Sequence, residues 1–168
     1  MAIIIGIDPG SRLCGYGLVD SSASEPSYVA SGIIRLNEKA MVDRLALLFE
    51  SLETLTSQYQ PQQAAIEKVF VGKSADSALK LGQARGVALL ALARSGIPLA
   101  EYSPRSIKQT VTGSGSADKR QVTDMVVRCL SLNAAPPEDA ADALAIALCH
   151  AYSARYQRAI DASSQVTV

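Results

Sequence analysis

Four acidic residues lie in segments where apolar side chains would be expected. Asp8 ends one apolar run and Glu67 ends a second. Asp139 and Asp142 lie together in an alanine-rich helical run. A carboxylate is costly to bury unless something compensates its charge, so these segments suggest one shared compensator. Two divalent cations with oxygen ligands would fit, and the chemistry they indicate is hydrolysis of a phosphodiester.

Each acid also has an ordinary structural interpretation. Asp8 could simply begin a turn, and Glu67 could pair with the neighbouring Lys68. Asp139 and Asp142 could be charges that favour a helix N-terminus and do nothing else. Each acid alone is a weak indication. The hypothesis depends on all of them occurring in this order of elements.

The pattern of apolar residues predicts the elements that position these acids. Strands at 2–8, 15–19 and 27–36 are joined by short connections, which favours an antiparallel meander. A helix from 41 to about 60 then crosses over to a strand at 63–69, which should pair in parallel beside the first strand. The remaining predicted elements are a strand at 97–102 and helices at 74–95, 104–110, 122–130 and 138–156. Together they predict an α/β fold with a five-stranded mixed sheet flanked by helices.

This topology brings the acids toward one place. The first and fourth strands are neighbours, so Asp8 and Glu67 should lie side by side at the strand ends. Asp139 and Asp142 are three residues apart and therefore share one helix face. The prolines at 136–137 predict that both of these residues lie in the first turn of the helix.

Length and composition favour one intracellular domain. The chain has 168 residues, and no apolar stretch is long enough to span a membrane. There is no basic N-terminal region typical of a signal peptide. We expect a single domain at 1–156 and a flexible C-terminal tail at 157–168.

The cysteines and the histidine indicate a reduced, cytoplasmic protein without zinc. The chain has three widely spaced cysteines, an odd number typical of free thiols. With His150 as its one histidine, it lacks the ligand spacing of zinc motifs.

Charge is distributed unevenly along a chain of zero net charge. Residues 68–128 carry ten basic and four acidic side chains, while the rest carries six and twelve. Such a segment could bind phosphates, or it could be a set of solvated helix faces. A flexible loop is expected at 113–116. The helix at 74–95 is apolar around most of its circumference, which favours burial against a second subunit. Basic residues that we expect at a DNA interface are Lys73, Lys80, Arg85 and Arg120.

With these motifs in place, the chain resembles the RuvC family of Holliday-junction resolvases over residues 2 to 152. A serine stands at position 74, where the family usually has asparagine. The motifs that carry the resemblance are Ile7-Asp8-Pro9-Gly10-Ser11, Gly15-Tyr16-Gly17, Ala65-Ile66-Glu67, the signature from Ala75 to Gly86, Val111-Thr112-Gly113, Gly115-Ser116-Ala117 and Asp139-Ala140-Ala141-Asp142-Ala143-Leu144-Ala145.

The resemblance implies a ribonuclease-H-like fold and a homodimeric, magnesium-dependent endodeoxyribonuclease. Such an enzyme resolves four-way DNA junctions in recombination and DNA repair. It makes paired symmetric nicks in strands of like polarity and leaves 5′-phosphate and 3′-hydroxyl ends. A branch-migration helicase complex of the RuvA and RuvB type is the implied partner.

The resemblance also implies roles for particular residues. The implied metal-binding catalytic acids, for two Mg²⁺ ions per subunit that Mn²⁺ can replace, are Asp8, Glu67, Asp139 and Asp142. Lys108 and Lys119 match basic residues that contact phosphate near the cut and stabilise developing charge. Phe70 matches an aromatic residue beside the junction bases, although a loop aromatic could also fold back into the core.

Three other functions have some support in the sequence. A resolvase-like protein of the YqgF type, or a ribonuclease acting on RNA, would share the Asp-x-Gly start but lack the signature from Leu79 to Gly86. A sugar-kinase-like nucleotide fold would need a second phosphate loop and a longer chain. A junction-binding scaffold without catalysis would not need all four acids.

Overall fold

A computed structural model describes residues 2–37, 40–69 and 74–165 of the chain. Its strands and helices follow the predicted order, with differences at several ends. They are β1 (Ile3–Asp8), β2 (Leu13–Asp20), β3 (Ser27–Arg35), α1 (Met41–Tyr59), β4 (Gln63–Glu67), α2 (Ala75–Arg94), β5 (Leu99–Tyr102), α3 (Pro104–Thr112), α4 (Lys119–Cys129) and α5 (Glu138–Gln165). No helix in these described ranges is long and apolar enough to cross a membrane.

The strands form one mixed sheet in the order β3-β2-β1-β4-β5. β1 pairs antiparallel with β2, and β2 pairs antiparallel with β3. β4 pairs in parallel with β1, and β5 pairs in parallel with β4. The predicted sheet is therefore confirmed, including the neighbouring positions of the first and fourth strands. Helix α1 causes this arrangement, because a parallel partner can be reached only through a crossover.

Two apolar cores lie on opposite faces of the sheet. Alternate residues of β1 enter each core: Ile4 packs with α3, α4 and α5, whereas Ile5 and Ile7 pack with α1 and α2. Because side chains alternate along a strand, Asp8 faces the same side as Ile4, toward α5. The central part of α5 is almost fully buried there.

Glycines let α5 lie directly on the backbone of β1 and β2. Gly6 and Gly17 are opposite each other in the ladder, and Gly15 is opposite Asp8. A Cβ atom at Gly6 would lie 2.2 Å from the carbonyl oxygen of Ala143, and one at Gly15 would lie 1.9 Å from that of Asp139. A side chain at either glycine would therefore push the first turns of α5 away from the sheet.

Two predictions about the last helix were wrong. The last helix does not end at Tyr156 but continues to Gln165, with exposed residues over this extension. Helix α5 begins at Glu138, so its first turn holds Glu138 and Asp139, and Asp142 lies one turn further along. The helix starts just after the prolines, as predicted. Because it starts at Glu138, Asp142 lies beyond the first turn, and the prediction that both acids share this turn was wrong. The division into a domain and a tail stays a prediction.

Helix α2 begins after Ser74, whose side chain accepts a hydrogen bond from the backbone N–H of Ser77. Only one of its faces is buried, and that face consists of Ala84, Ala88, Ala91 and Leu92. Leu79 and Leu90 are 70% and 54% exposed. The helix therefore has apolar surface that the described part of the chain does not cover.

Replacing Gly15 by alanine should destabilise the protein, because the new methyl group would meet the carbonyl oxygen of Asp139. We expect a loss of about 1–3 kcal/mol in the free energy of unfolding, the usual range for overpacking. Urea unfolding followed by circular dichroism measures it.

Gly82→Ala is the matched control. A methyl group there would meet nothing within 4 Å. An alanine inside an exposed helix should stabilise by about 0.5–1 kcal/mol. Equal unfolding midpoints for Gly15→Ala and the wild type would contradict the direct packing of α5 on the strands.

Candidate active site

Three of the predicted acids line one cavity of about 350 Å³. The parallel register pairs Ile7 with Ile66, and one step further it sets Asp8 beside Glu67 at the ends of β1 and β4. Asp142 enters the same cavity from α5. Residues far apart in the chain therefore meet because the sheet aligns two strand ends and the glycines hold α5 across them.

Asp139 lies beside this cavity and is not among the residues that line it. Its negative charge nevertheless contributes to the raised pKa values of Asp8 and Asp142. Its backbone carbonyl rests against Gly15. The fourth predicted acid is thus a neighbour of Asp8 and Asp142, placed one turn before Asp142 on α5.

The cavity holds more negative charge than its surroundings compensate. Burial, followed by the charges of Asp142, Glu67 and Asp139, raises the pKa of Asp8 to about 7. Burial and then Asp142 raise the pKa of Glu67. Burial also raises the pKa of Asp142. Ionised carboxylates in such a place favour the binding of a cation, which would lower all of these pKa values together.

Two lysines supply positive charge to the same cavity. Lys108 from α3 and Lys119 from the start of α4 both line it. The Lys119 ammonium lies 3.4 Å from Oδ2 of Asp142 and also contacts Glu138. These contacts, with Glu138 first, raise the pKa of Lys119. Lys119 lowers the pKa of Asp8 and, with Lys108, that of Glu67, but it does not cancel the effect of burial.

Sequence reasoning missed Glu138, which forms an exposed ion pair with Lys119. Both side chains are 66% exposed, so the pair contributes little to stability. It instead keeps the lysine ammonium at the rim of the cavity. A surface pair between two helices leaves no periodic signal, although an acid in the first turn of a helix could have suggested it.

The segment between the two lysines contains side-chain hydrogen bonds that the sequence did not predict, and the flexibility expected at 113–116 stays a prediction. The Gln109 side chain donates a hydrogen bond to the carbonyl of Gly113 at 2.7 Å. It accepts one from the N–H of Gly115 at 3.0 Å. Asp118 then forms a capping box with Gln121 at the start of α4. The glycines and serines suggested mobility, and these side-chain bonds lie along the path from Lys108 to Lys119.

The donors suit a hard divalent cation, but they are not arranged as a closed coordination sphere. Within residues 2–37, 40–69 and 74–165, no three Asp, Glu, His or Cys side chains are grouped closely enough to hold a metal ion by themselves. Asp8, Glu67 and Asp142 nevertheless offer carboxylate oxygens to one cavity with uncompensated charge. Magnesium fits such a site, because it keeps several waters and binds through only one or two carboxylates.

The predicted DNA contacts outside the cavity have different surroundings. Lys80 pairs with Asp76 at 2.7 Å on α2, and Arg120 lies 4.0 Å from Asp124 on α4. Arg85 is mostly buried. Phe70 and Lys73 lie outside the described residues.

His150 is engaged away from the cavity. Its Nδ1 lies 2.8 Å from the hydroxyl of Tyr102, and its Nε2 lies 3.2 Å from the side-chain oxygen of Gln63. Burial lowers its pKa. The neighbouring Cys149 is buried, and burial raises the pKa of its thiol. These residues belong to the packing between α5 and the sheet.

The sheet order and the acids at its strand ends define a ribonuclease-H-like nuclease. The yeast mitochondrial Holliday junction resolvase Ydc2 shares this fold, with a TM-score of 0.66 at 15% identity over 97% of this chain and 85% of that one. A family model for crossover junction endodeoxyribonuclease RuvC matches residues 4–150. The chain belongs to the RuvC family of crossover junction endodeoxyribonucleases.

Individual relatives agree with this assignment. A RuvC from Teredinibacter turnerae is 52% identical over 158 residues, which is 91% of this chain and 89% of the relative. One from Marinobacter nauticus is 55% identical over 152 residues, covering 90% and 87% of the two chains. The Thermus thermophilus RuvC structure superposes with a TM-score of 0.85 at 31% identity, covering 92% of this chain and 96% of that one.

The raised pKa of Asp8 predicts how stability depends on pH. Because this pKa is higher in the folded chain than its ordinary value, protonation of Asp8 stabilises the folded protein. This contribution to the free energy of unfolding is fully present below pH 4. It is lost as the pH rises through about 7. Without divalent cations at pH 8, Asp8→Asn should therefore be more stable than the wild type. The expected gain is on the order of a few kcal/mol, since one pKa unit corresponds to about 1.4 kcal/mol.

Denaturant unfolding in a chelator at pH 5 and pH 8 measures this difference. Asp124→Asn is the control, because its carboxylate is 71% exposed beside Arg120. Addition of Mg²⁺ at pH 8 should stabilise the wild type more than Asp8→Asn. Equal stability of wild type and Asp8→Asn at pH 8 would show that the charge on Asp8 is compensated in the cation-free protein.

Proposed function

We propose that this protein resolves four-way DNA junctions by paired symmetric nicks in two strands of like polarity. The products would carry 5′-phosphate and 3′-hydroxyl ends, as recombination and DNA repair require. The observation that carries the proposal is the meeting of Asp8, Glu67 and Asp142 in one cavity of uncompensated negative charge. A Thermus thermophilus RuvC in complex with a Holliday junction substrate superposes on this chain with a TM-score of 0.88 at 31% identity.

Asp8, Glu67, Asp139 and Asp142 would hold Mg²⁺, two ions per subunit, with Mn²⁺ able to replace it. When bound, the metal would activate water and stabilise charge on the phosphodiester. By holding the metal between the strand ends and α5, the carboxylates would determine which phosphodiester can be cut.

The lysines would bind the phosphate from the other side of the cavity. Lys119 now contacts Asp142 and Glu138, and its ammonium could donate to a phosphate oxygen when DNA enters. Lys108 lines the same cavity from α3. The hydrogen bonds of Gln109 join the end of α3 to the loop that leads to Lys119. Positive charge placed where negative charge develops lowers the barrier to cleavage.

Paired cuts require two copies of this site, and a homodimer would supply them. The exposed Leu79 and Leu90 on α2 support this assembly, because exposed apolar side chains on a helix favour a partner. A two-fold dimer also matches a junction with two equivalent strands. Membership of the family supports a branch-migration helicase complex as a partner. The free cysteines support a cytoplasmic location.

Phe70, Lys73, Lys80 and Arg120 would contact junction DNA outside the cavity. The side chain of Arg120 is 91% exposed and that of Lys80 is 47% exposed, so both can reach a phosphate by leaving weak surface pairs. Surface pairs of this kind are worth less than about 1 kcal/mol.

Cleavage of a synthetic four-way junction with Mg²⁺ tests the proposal. The wild type should nick two opposed strands and leave matched linear duplex and an RNA–DNA hybrid uncut. Asp8→Asn should bind the junction without cutting it, and Lys119→Ala should cut about a hundredfold more slowly. Arg94→Ala removes a charge at the far end of α2 and should behave as wild type. Cutting by Asp8→Asn at the wild-type rate would refute the assignment.

The salt dependence of junction binding tests the outer contacts. Removing one phosphate contact should reduce the slope of log affinity against log salt by about one. We expect this for Arg120→Ala and Lys80→Ala, measured by fluorescence anisotropy without Mg²⁺. An unchanged slope would leave that side chain on a solvated helix face.

A further inference from the structure

Arg85 extends from α2 to the end of β4, on the face of the sheet opposite the cavity. Its Nε donates a hydrogen bond to the backbone carbonyl of Glu67 at 3.2 Å. Its guanidinium also forms an ion pair with Glu101 of β5. Arg85 therefore connects a helix with the ends of two neighbouring strands.

The two faces are assigned by the alternation of side chains along the strands. Ala65 packs in the core beneath α5, so Glu67, two residues further, points to the same side and lines the cavity. Leu99 packs in the core beneath α1 and α2, and Glu101 therefore points toward α2. Arg85 reaches Glu67 from behind and contacts its backbone, leaving the carboxylate free.

The peptide bond between Glu67 and Lys68 is held at both of its polar groups. Its carbonyl accepts from Arg85, and its N–H donates to the carbonyl of Tyr102 at 2.7 Å. These two bonds hold the strand end from which the Glu67 side chain projects against both Arg85 and β5. Because β4 ends at Glu67, the side chain of Arg85 supplies a hydrogen bond to this last carbonyl of the strand.

The environment of Arg85 differs from that of a DNA contact. Its side chain is 17% exposed, whereas those of Lys80 and Arg120 are 47% and 91% exposed. Its donors already face an ionised carboxylate and a backbone carbonyl. Turning it toward DNA would leave the partly buried carbonyl of Glu67 without this donor, which is costly, and would break the ion pair with Glu101.

We propose that Arg85, oriented by Glu101, is a positioning residue that fixes the carboxylate of Glu67 in the active site. This inference rests on the proposed function, in which Glu67 is a metal-binding catalytic acid. It replaces the expectation that Arg85 contacts DNA. Outer residues that orient metal ligands typically change affinity or activity by about 10–100-fold when they are removed.

The test compares Arg85→Ala and Glu101→Gln with a matched pair on the same helix. Arg94 lies 3.7 Å from Glu53 in an exposed ion pair, so Arg94→Ala and Glu53→Gln make the same charge changes away from the site. Three quantities are measured: the single-turnover cleavage rate at saturating protein, the junction Kd without Mg²⁺, and the Mg²⁺ concentration that gives half-maximal thermal stabilisation.

Positioning predicts the same pattern for both site variants. The cleavage rate should fall about 10–100-fold, the Mg²⁺ midpoint should rise, and the junction Kd should stay within about twofold of wild type. High Mg²⁺ should restore part of the rate, which it would not do for general loss of structure. Arg85→Lys should be intermediate, because an ammonium lacks the fork that reaches both acceptors.

A DNA contact predicts a different pattern and would overturn the inference. Arg85→Ala would then weaken the Kd and reduce its salt dependence, with an unchanged rate at saturation. Glu101→Gln would tighten binding, since it removes a negative charge from a phosphate-binding face. If Arg85→Ala does not fold, Glu101→Gln decides alone, and a wild-type rate and Mg²⁺ midpoint for it refute positioning.

The failure of this inference is distinguishable from failure of the proposed function. A wild type that does not cut the junction refutes the proposed function, whatever the variants do. A wild type that cuts, with Arg85→Ala and Glu101→Gln cutting equally fast, refutes only the role of Arg85. The Mg²⁺ midpoint from thermal unfolding reports on Glu67 without any cleavage assay.

Discussion

The properties of the site depend on repulsion between carboxylates that the fold brings into one partly buried cavity. Burial and mutual charge raise the pKa values of Asp8, Glu67 and Asp142, and Lys119 offsets only part of the effect. The lysine itself is 66% exposed and shared with Glu138, so it compensates weakly. Apolar cores on both faces of the sheet offset the cost of such a site, which is the usual trade of stability for function.

Packing of backbone against backbone makes the close approach of these acids possible. The bare strands at Gly6, Gly15 and Gly17 let α5 lie lower on the sheet than any side chain would allow. The N-terminal end of the helix, where the dipole favours negative charge, then lies beside the end of β1. The same contact therefore builds the core and brings Asp142 to the strand ends.

Apolar runs and the crossover rule were enough to predict the strand order and the meeting of Asp8 with Glu67. Both follow from local pattern and chain connectivity, which a sequence contains. The engagement of Gln109 with its loop and of Arg85 with Glu67 could not be predicted in this way. Each depends on one side chain reaching a backbone group that only the folded chain brings near. The length of α5 was underestimated because its exposed end buries no periodic apolar face.

Where α5 rests on the bare backbone of Gly6, Gly15 and Gly17, no side chain lies beneath it that could repack. The backbone at Asp142 can therefore move only if this part of α5 lifts off the sheet, and the almost fully buried centre of the helix opposes this. The backbone positions of the acids are therefore the fixed part of the active site. Adjustment to the shape of an incoming strand falls to Lys119, whose long side chain can swing away from Glu138 and Asp142 at little cost.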